Sequence, residues 1–118
     1  MKGDDIARRL LRFGVDVLSL VRQLPRDYVG RDVGRQLLRA ATGGGSNYEE
    51  SRSAESRADF IHKVSIAAKE VRESRYWLCL VSEAGLRNRR DVKPLVDEAG
   101  ELIAILTSSA KTAKARTD

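Results

Sequence analysis

The chain contains little of what stabilises or betrays most protein classes. Its 118 residues include one cysteine, two prolines, one histidine and 5% aromatics. No apolar run approaches the roughly 18 to 20 residues needed to cross a bilayer, which excludes a transmembrane helix and a membrane role. The single Cys79 excludes an intramolecular disulfide. With no signal-peptide or transit pattern after Met1, a cytoplasmic protein of a reducing compartment is expected. Scarce proline and aromatics, beside abundant Ala, Leu, Arg and Glu, point to an all-α chain. The length fits one domain able to bury a core without staples.

What is present is helical periodicity. Ile6, Leu10, Phe13, Val17, Leu20 and Leu24 recur at spacings of 4, 3, 4, 3 and 4, predicting a helix over about 5–24 that is capped by Asp4 or Asp5 and ended by Pro25. A second seam of Ala7, Leu11, Leu18 and Val21 makes its apolar face wide enough for more than one neighbour. After a turn at 26–30, a second helix is expected over about 31–50. Phe60, Val64, Ala67, Val71, Ser74, Leu78 and Val81 define a third over about 56–84. Ser56 with Asp59 resembles a capping box, and Gly85-Leu86 supplies a Schellman stop. Asn88 or Asp91 caps a fourth helix over about 91–108, with Pro94 in its first turn. A basic tail at 109–118 is expected to fray. Short connections make an antiparallel up-down four-helix bundle the economical architecture.

The stretch Arg35 to Ser51, RQLLRAATGGGSNYEES, is the exception among ordinary amphipathic segments. The seams pass through Gly44 to Asn47 and through Gly45 to Tyr48, yet each glycine costs about 1 kcal/mol relative to alanine in a helix. Periodicity alone leaves two outcomes open: a break at 42–46, or a close-packed continuous helix. A phosphate loop fails, because no Lys-Ser/Thr follows the glycines and no strand precedes them. Glu49 and Glu50 point about 100° apart and cannot share a substrate. Asn47 and Glu50, at i, i+3 spacing, are expected to be buried polar fasteners between helices.

Other chemistry is weaker still. Asp59-x-x-His62 is half of a di-iron bundle motif, but one histidine cannot supply a second half-site, so no metal is expected. Cys79 lies in the apolar run Tyr76 to Val81 and is expected to be an inert core thiol. No catalytic residue, cofactor or enzymatic activity follows. That apolar run faces every direction of its helix, so Tyr76, Trp77 and Leu80 are expected at a subunit interface, with Trp77 as its anchor.

The net charge is +5 and the pI about 9.7. Arg31, Arg35 and Arg39 form an i, i+4 stripe, Arg87, Arg89 and Arg90 cluster before the fourth helix, and Lys111, Lys114 and Arg116 decorate the tail. Lys69 and Glu73 offer a local charge pair. In a single subunit these cations form a solvated face. Repeated in a symmetric oligomer they make a multivalent field suited to RNA or DNA.

RQLLRAATGGGSNYEES followed by SRADFIHKVSIAAKEVRESRYWLCLVSEAGL resembles the bacterial four-helix bundle protein family, which includes proteins encoded in intervening sequences of large-subunit ribosomal RNA genes and is related to accessory proteins of diversity-generating retroelements. Ser46, Asn47 and Glu50 match the family's Ser-Asn-x-x-Glu signature, and Glu70 with Tyr76-Trp77-Leu78 matches its third-helix pattern. The chain departs from that pattern in having Gly43-Gly44-Gly45 where better helix formers are usual, and Ser51 where Gly or Ala is common. The resemblance implies a homopentamer with a central channel, no known catalytic activity and, as in the retroelement relatives, contact with RNA and a reverse transcriptase through basic surfaces. Together with the preserved seam, it favours a continuous second helix. A non-catalytic oligomeric scaffold that binds nucleic acid, or a nucleic-acid-processing partner, is the resulting expectation. A protein-binding assembly factor without nucleic-acid binding is the alternative.

Overall fold

A computed structural model describes residues 1–116 as four helices packed against one another, with no strand among the described residues. They are α1 (Gly3–Val21), α2 (Tyr28–Ser51), α3 (Arg57–Glu83) and α4 (Arg89–Ala115). Each packs on its neighbour in sequence, and a thinner contact between α1 and α4 closes the ring. The bundle measures 52 × 21 × 19 Å.

The core follows from the seams. Leu10, Phe13 and Val17 of α1 meet Leu37 of α2, Val64, Val71 and Leu78 of α3, and Leu102 and Leu106 of α4, all essentially without solvent contact. Removing such side chains from water supplies the driving force, at about 25 cal/mol per Å² of apolar surface. Ser51 and Ser74 are buried among them, but each hydroxyl donates to its own helix, to the Tyr48 carbonyl at 2.6 Å and the Glu70 carbonyl at 3.0 Å. Neither is left without a partner.

Several helix ends differ from expectation. α1 starts at Gly3 with Lys2 as its N-cap residue, and Asp4 and Asp5 lie in its first turn rather than capping it. It stops at Val21, and Leu24 buries itself in the connection. α2 begins at Tyr28 because the Asp27 carboxylate accepts from the Gly30 N–H at 2.9 Å, a side-chain cap three residues before the position expected. Gly30 also sits on the Pro25 carbonyl, where a β-carbon would overlap the oxygen. Asn88 caps α4, accepting from the Asp91 N–H at 2.8 Å, so Pro94 lies beyond the first turn and deprives the exposed Arg90 carbonyl of its helical donor. Most of the expected tail is helix. Ala110 and Ala113 continue the seam of Ala99, Leu102 and Leu106 and are buried with it, while 117–118 lie outside the described residues.

The Ser56 hydroxyl accepts from the Asp59 N–H at 3.0 Å at the start of α3. At its end, Gly85 takes φ +70°, Leu86 N–H donates to the Val81 carbonyl at 3.0 Å and Gly85 N–H to the Ser82 carbonyl at 3.1 Å. That is the Schellman pattern, and glycine is there because a side chain disfavours positive φ.

Candidate functional site

The glycine-rich stretch is helical throughout, so α2 is unbroken from Tyr28 to Ser51. The reason lies on α3. A β-carbon at Gly44 would stand 2.8 Å from Val71 Cγ2, and one at Gly43 would stand 2.5 Å from Glu70 Oε2. Gly44 lets α3 approach more closely than alanine permits, whereas the Glu70 carboxylate facing Gly43 is the far end of a flexible side chain that can swing aside. Gly45 faces α1, where a β-carbon would make ordinary contact with Leu10 at 3.8 Å.

Around this contact the signature residues take roles other than those expected. Asn47 is half-buried, and its amide donates to the Gly43 carbonyl of its own helix at 2.8 Å. Glu50 is exposed, so the two do not fasten neighbouring helices. The buried line runs Gly44, Tyr48, Ser51, one residue beyond the seam through Asn47. Burial pushes the Tyr48 hydroxyl's pKa up. Ser46 is exposed, its hydroxyl donating to the Gly43 carbonyl at 3.3 Å. The fastening across helices comes instead from Glu70 and Glu73, which both pair with Arg39 of α2. Glu73 also accepts from the Trp77 indole N–H at 3.3 Å. The local Lys69–Glu73 pair is replaced by this interhelical one.

Trp77 and Leu80 are half-buried against the chain's own core, whereas Tyr76 remains 61% exposed and meets the Trp77 ring edge-on at 5.2 Å. Cys79 is exposed rather than in the core. The apolar run is therefore partly absorbed within the subunit. A larger exposed apolar face lies on α1, where Leu11 is 69% exposed and Val15 and Leu18 follow it at helical spacing. Together with Gly14, Ala41 and Gly45 they line an open groove between α1 and α2. Leu11 and Leu18 belong to the second seam expected to meet a further neighbour, and within the chain Leu11 meets none that covers it.

The cations separate into groups. Arg39 is neutralised at the α2–α3 contact and leaves the stripe. Arg35 pairs with Asp32 at 2.6 Å, and Arg31 donates to the Arg26 carbonyl at 3.1 Å. Arg87 pairs with Asp91 at 2.9 Å, and Arg89 lies 3.5 Å from Glu83. Arg22, Arg26 and Arg90 carry no ion pair among the described residues. Lys111, Lys114 and Arg116 stand apart, because α4 separates Arg116 from Arg89 by about 40 Å at 1.5 Å per residue. At that far end Arg57 donates to the Arg116 carbonyl at 2.7 Å, and Arg52 pairs with Asp4. Arg22 and Arg26 join no basic run or stripe in the sequence and gather with Arg31 and Arg35 only once the α1–α2 turn has folded.

No cluster of His, Cys, Asp and Glu suited to a metal ion occurs among the described residues, and no helix is long and apolar enough to cross a membrane.

The likeness to known proteins follows this architecture. A crystal structure of a protein of unknown function from the S23 ribosomal protein family of Bacteroides thetaiotaomicron superposes with a TM-score of 0.87 at 32% identity, over 94% of this chain and 99% of that one. Comparison with curated proteins finds no match. The sequence profile of the 23S rRNA-intervening sequence proteins matches residues 4–108, from the first turn of α1 to near the end of α4, and the chain belongs to that family.

Proposed function

We propose that the chain is an antiparallel up-down bundle that assembles into a homo-oligomer, a pentamer, and serves as a non-catalytic scaffold binding RNA through one basic end. The observation that carries the nucleic-acid reading is the gathering of guanidinium groups at that end, of which Arg22, Arg26 and Arg90 carry no ion pair among the described residues. Arg39 pairs with Glu73 while Gly44 packs on Ala67 and Val71, so earlier residues of α2 lie level with later residues of α3. By this register Arg31 and Arg35, with Arg22 and Arg26 beside them, approach the α3–α4 connection, which carries Arg87, and the first turn of α4, which carries Arg89 and Arg90. Cations outnumber the local acids Asp27, Asp32, Glu83 and Asp91. Such a surface, repeated around a symmetry axis, suits a polyanion.

Binding of a labelled RNA across a salt series tests this. The expected result is a log affinity that falls linearly with log salt, and a shallower fall when Arg89 and Arg90 are both changed to Glu. Changing Lys111 and Lys114 at the other end is expected to have a smaller effect. A flat salt response, or no binding at low salt, overturns the reading. The oligomer is supported by the uncovered Leu11, Val15 and Leu18 face, and light scattering at five times 13.1 kDa is its expected outcome.

A further inference from the structure

The most exposed large apolar side chain of the protein is an aromatic one set among guanidinium groups: Tyr28, the first residue of α2, is 81% exposed. It faces solvent from a rigid base. Asp27 caps the helix beneath it, Gly30 packs against Pro25, and Leu24 N–H closes on the Val21 carbonyl at 3.2 Å. Tyr28, Arg31 and Arg35 stand at i, i+3 and i+7, so they share one face of α2, with the two guanidinium-bearing residues about 5 and 10 Å along the axis from the ring. Beside them Arg22 and Arg26 border a groove of about 660 Å³ floored by Val21, Leu24 and Leu38. Of the nearby carboxylates, Asp27 is occupied as the cap and Asp32 by Arg35.

A ring left 81% exposed, flanked by Arg26 and Arg31, which carry no ion pair among the described residues, has the composition of a stacking platform for an unpaired base. Phosphates alone would be met by the arginines, and a paired duplex keeps its bases stacked on one another and out of reach of a side chain on a helix end. We propose that Tyr28 stacks on an unpaired nucleobase while Arg26, Arg31 and Arg35 hold the flanking phosphates, making this end of the bundle selective for single-stranded RNA. The inference rests on the nucleic-acid reading above and adds the form of the ligand and the residue that selects it.

Fluorescence anisotropy with a labelled oligouridylate and a fully paired RNA of equal charge, against the full chain and Tyr28→Ala, tests it. Tyr28→Ala is expected to weaken oligouridylate binding about tenfold at unchanged salt slope, since a stacked base is lost and no phosphate contact, and to leave the duplex unaffected. Tyr28→Trp is expected to restore binding. Arg31→Ala is expected to lower the salt slope for both RNAs. Equal loss on both RNAs, or no loss with Tyr28→Ala, overturns the stacking role while leaving nucleic-acid binding in place. Equally tight binding of polyglutamate, weakened to the same degree by Tyr28→Ala, overturns it in favour of an acidic protein ligand. Failure of the unaltered chain to bind either RNA at low salt overturns both readings. Because Tyr28 is exposed, its substitution leaves the fold intact, which thermal unfolding verifies.

Discussion

Gly44 of α2 lies so close to Val71 of α3 that a β-carbon on the glycine would stand 2.8 Å from Val71 Cγ2. The neighbouring Gly45 faces α1 with room for a methyl group. Two adjacent glycines thus carry different constraints. Gly45→Ala is expected to stabilise the protein by about 1 kcal/mol, the helix-propensity difference. Gly44→Ala is expected to destabilise it, since overpacking costs roughly 1–3 kcal/mol and outweighs that gain. Chemical denaturation of the pair checks the opposite signs, and equal shifts would refute the packing account.

Gly30 is the more severe case. Its β-carbon would overlap the Pro25 carbonyl oxygen, and backbone cannot swing aside as a side chain can. Gly30→Ala is expected to cost about 3 kcal/mol or more, seen as a large fall in Tm. Near-normal stability would mean that the α1–α2 turn relaxes freely.

Two apolar surfaces compete as the interface of the proposed oligomer. Leu11 is 69% exposed and Leu18 38%, whereas Trp77 and Leu80 pack on their own core. Leu11→Glu with Leu18→Glu is expected to reduce the assembled mass while barely changing subunit stability. Trp77→Ala is expected to cost about 2 kcal/mol of stability through lost packing. Light scattering with thermal unfolding separates them, and an undiminished mass after the α1 changes would return the interface to Tyr76, Trp77 and Leu80.

The α1–α4 seam is the thinnest of the ring, and Arg9 bridges it, meeting Glu98 through two bonds of 3.0 and 2.5 Å. A double-mutant cycle on Arg9 and Glu98 is expected to give a coupling of about 1 kcal/mol, the upper range for a partly exposed pair. A coupling near zero would assign closure of the ring to apolar contacts alone.

Asp59 reports on pH. Its carboxylate accepts from the Glu55 N–H at 3.3 Å and lies beside Lys63, which holds its pKa below the ordinary aspartate value. A group whose folded pKa is depressed contributes stability above its unfolded pKa and loses it as pH falls through the folded one. Asp59→Ala is therefore expected to be less stable than the parent at neutral pH, with the difference shrinking on the acid side. A gap that stays constant down the acid limb would contradict this.

The sequence by itself determined the four helices, because apolar residues recurring every three or four positions form a stripe whatever lies opposite. It also marked Ser56 as a cap and Gly85 as a stop, since both act through backbone groups within a few residues. Partners were beyond its reach. Arg39 meets Glu73, and Gly44 meets Val71, across separations that no local pattern encodes. A shift of one residue, from Asn47 to Tyr48, left Ser46, Asn47 and Glu50 off the buried line of α2, since that step turns a helix by 100°. The glycine run could be a break or a close contact until α3 was seen lying against it. Packing alone decided that, because a missing β-carbon has meaning only in relation to the atoms that occupy its space.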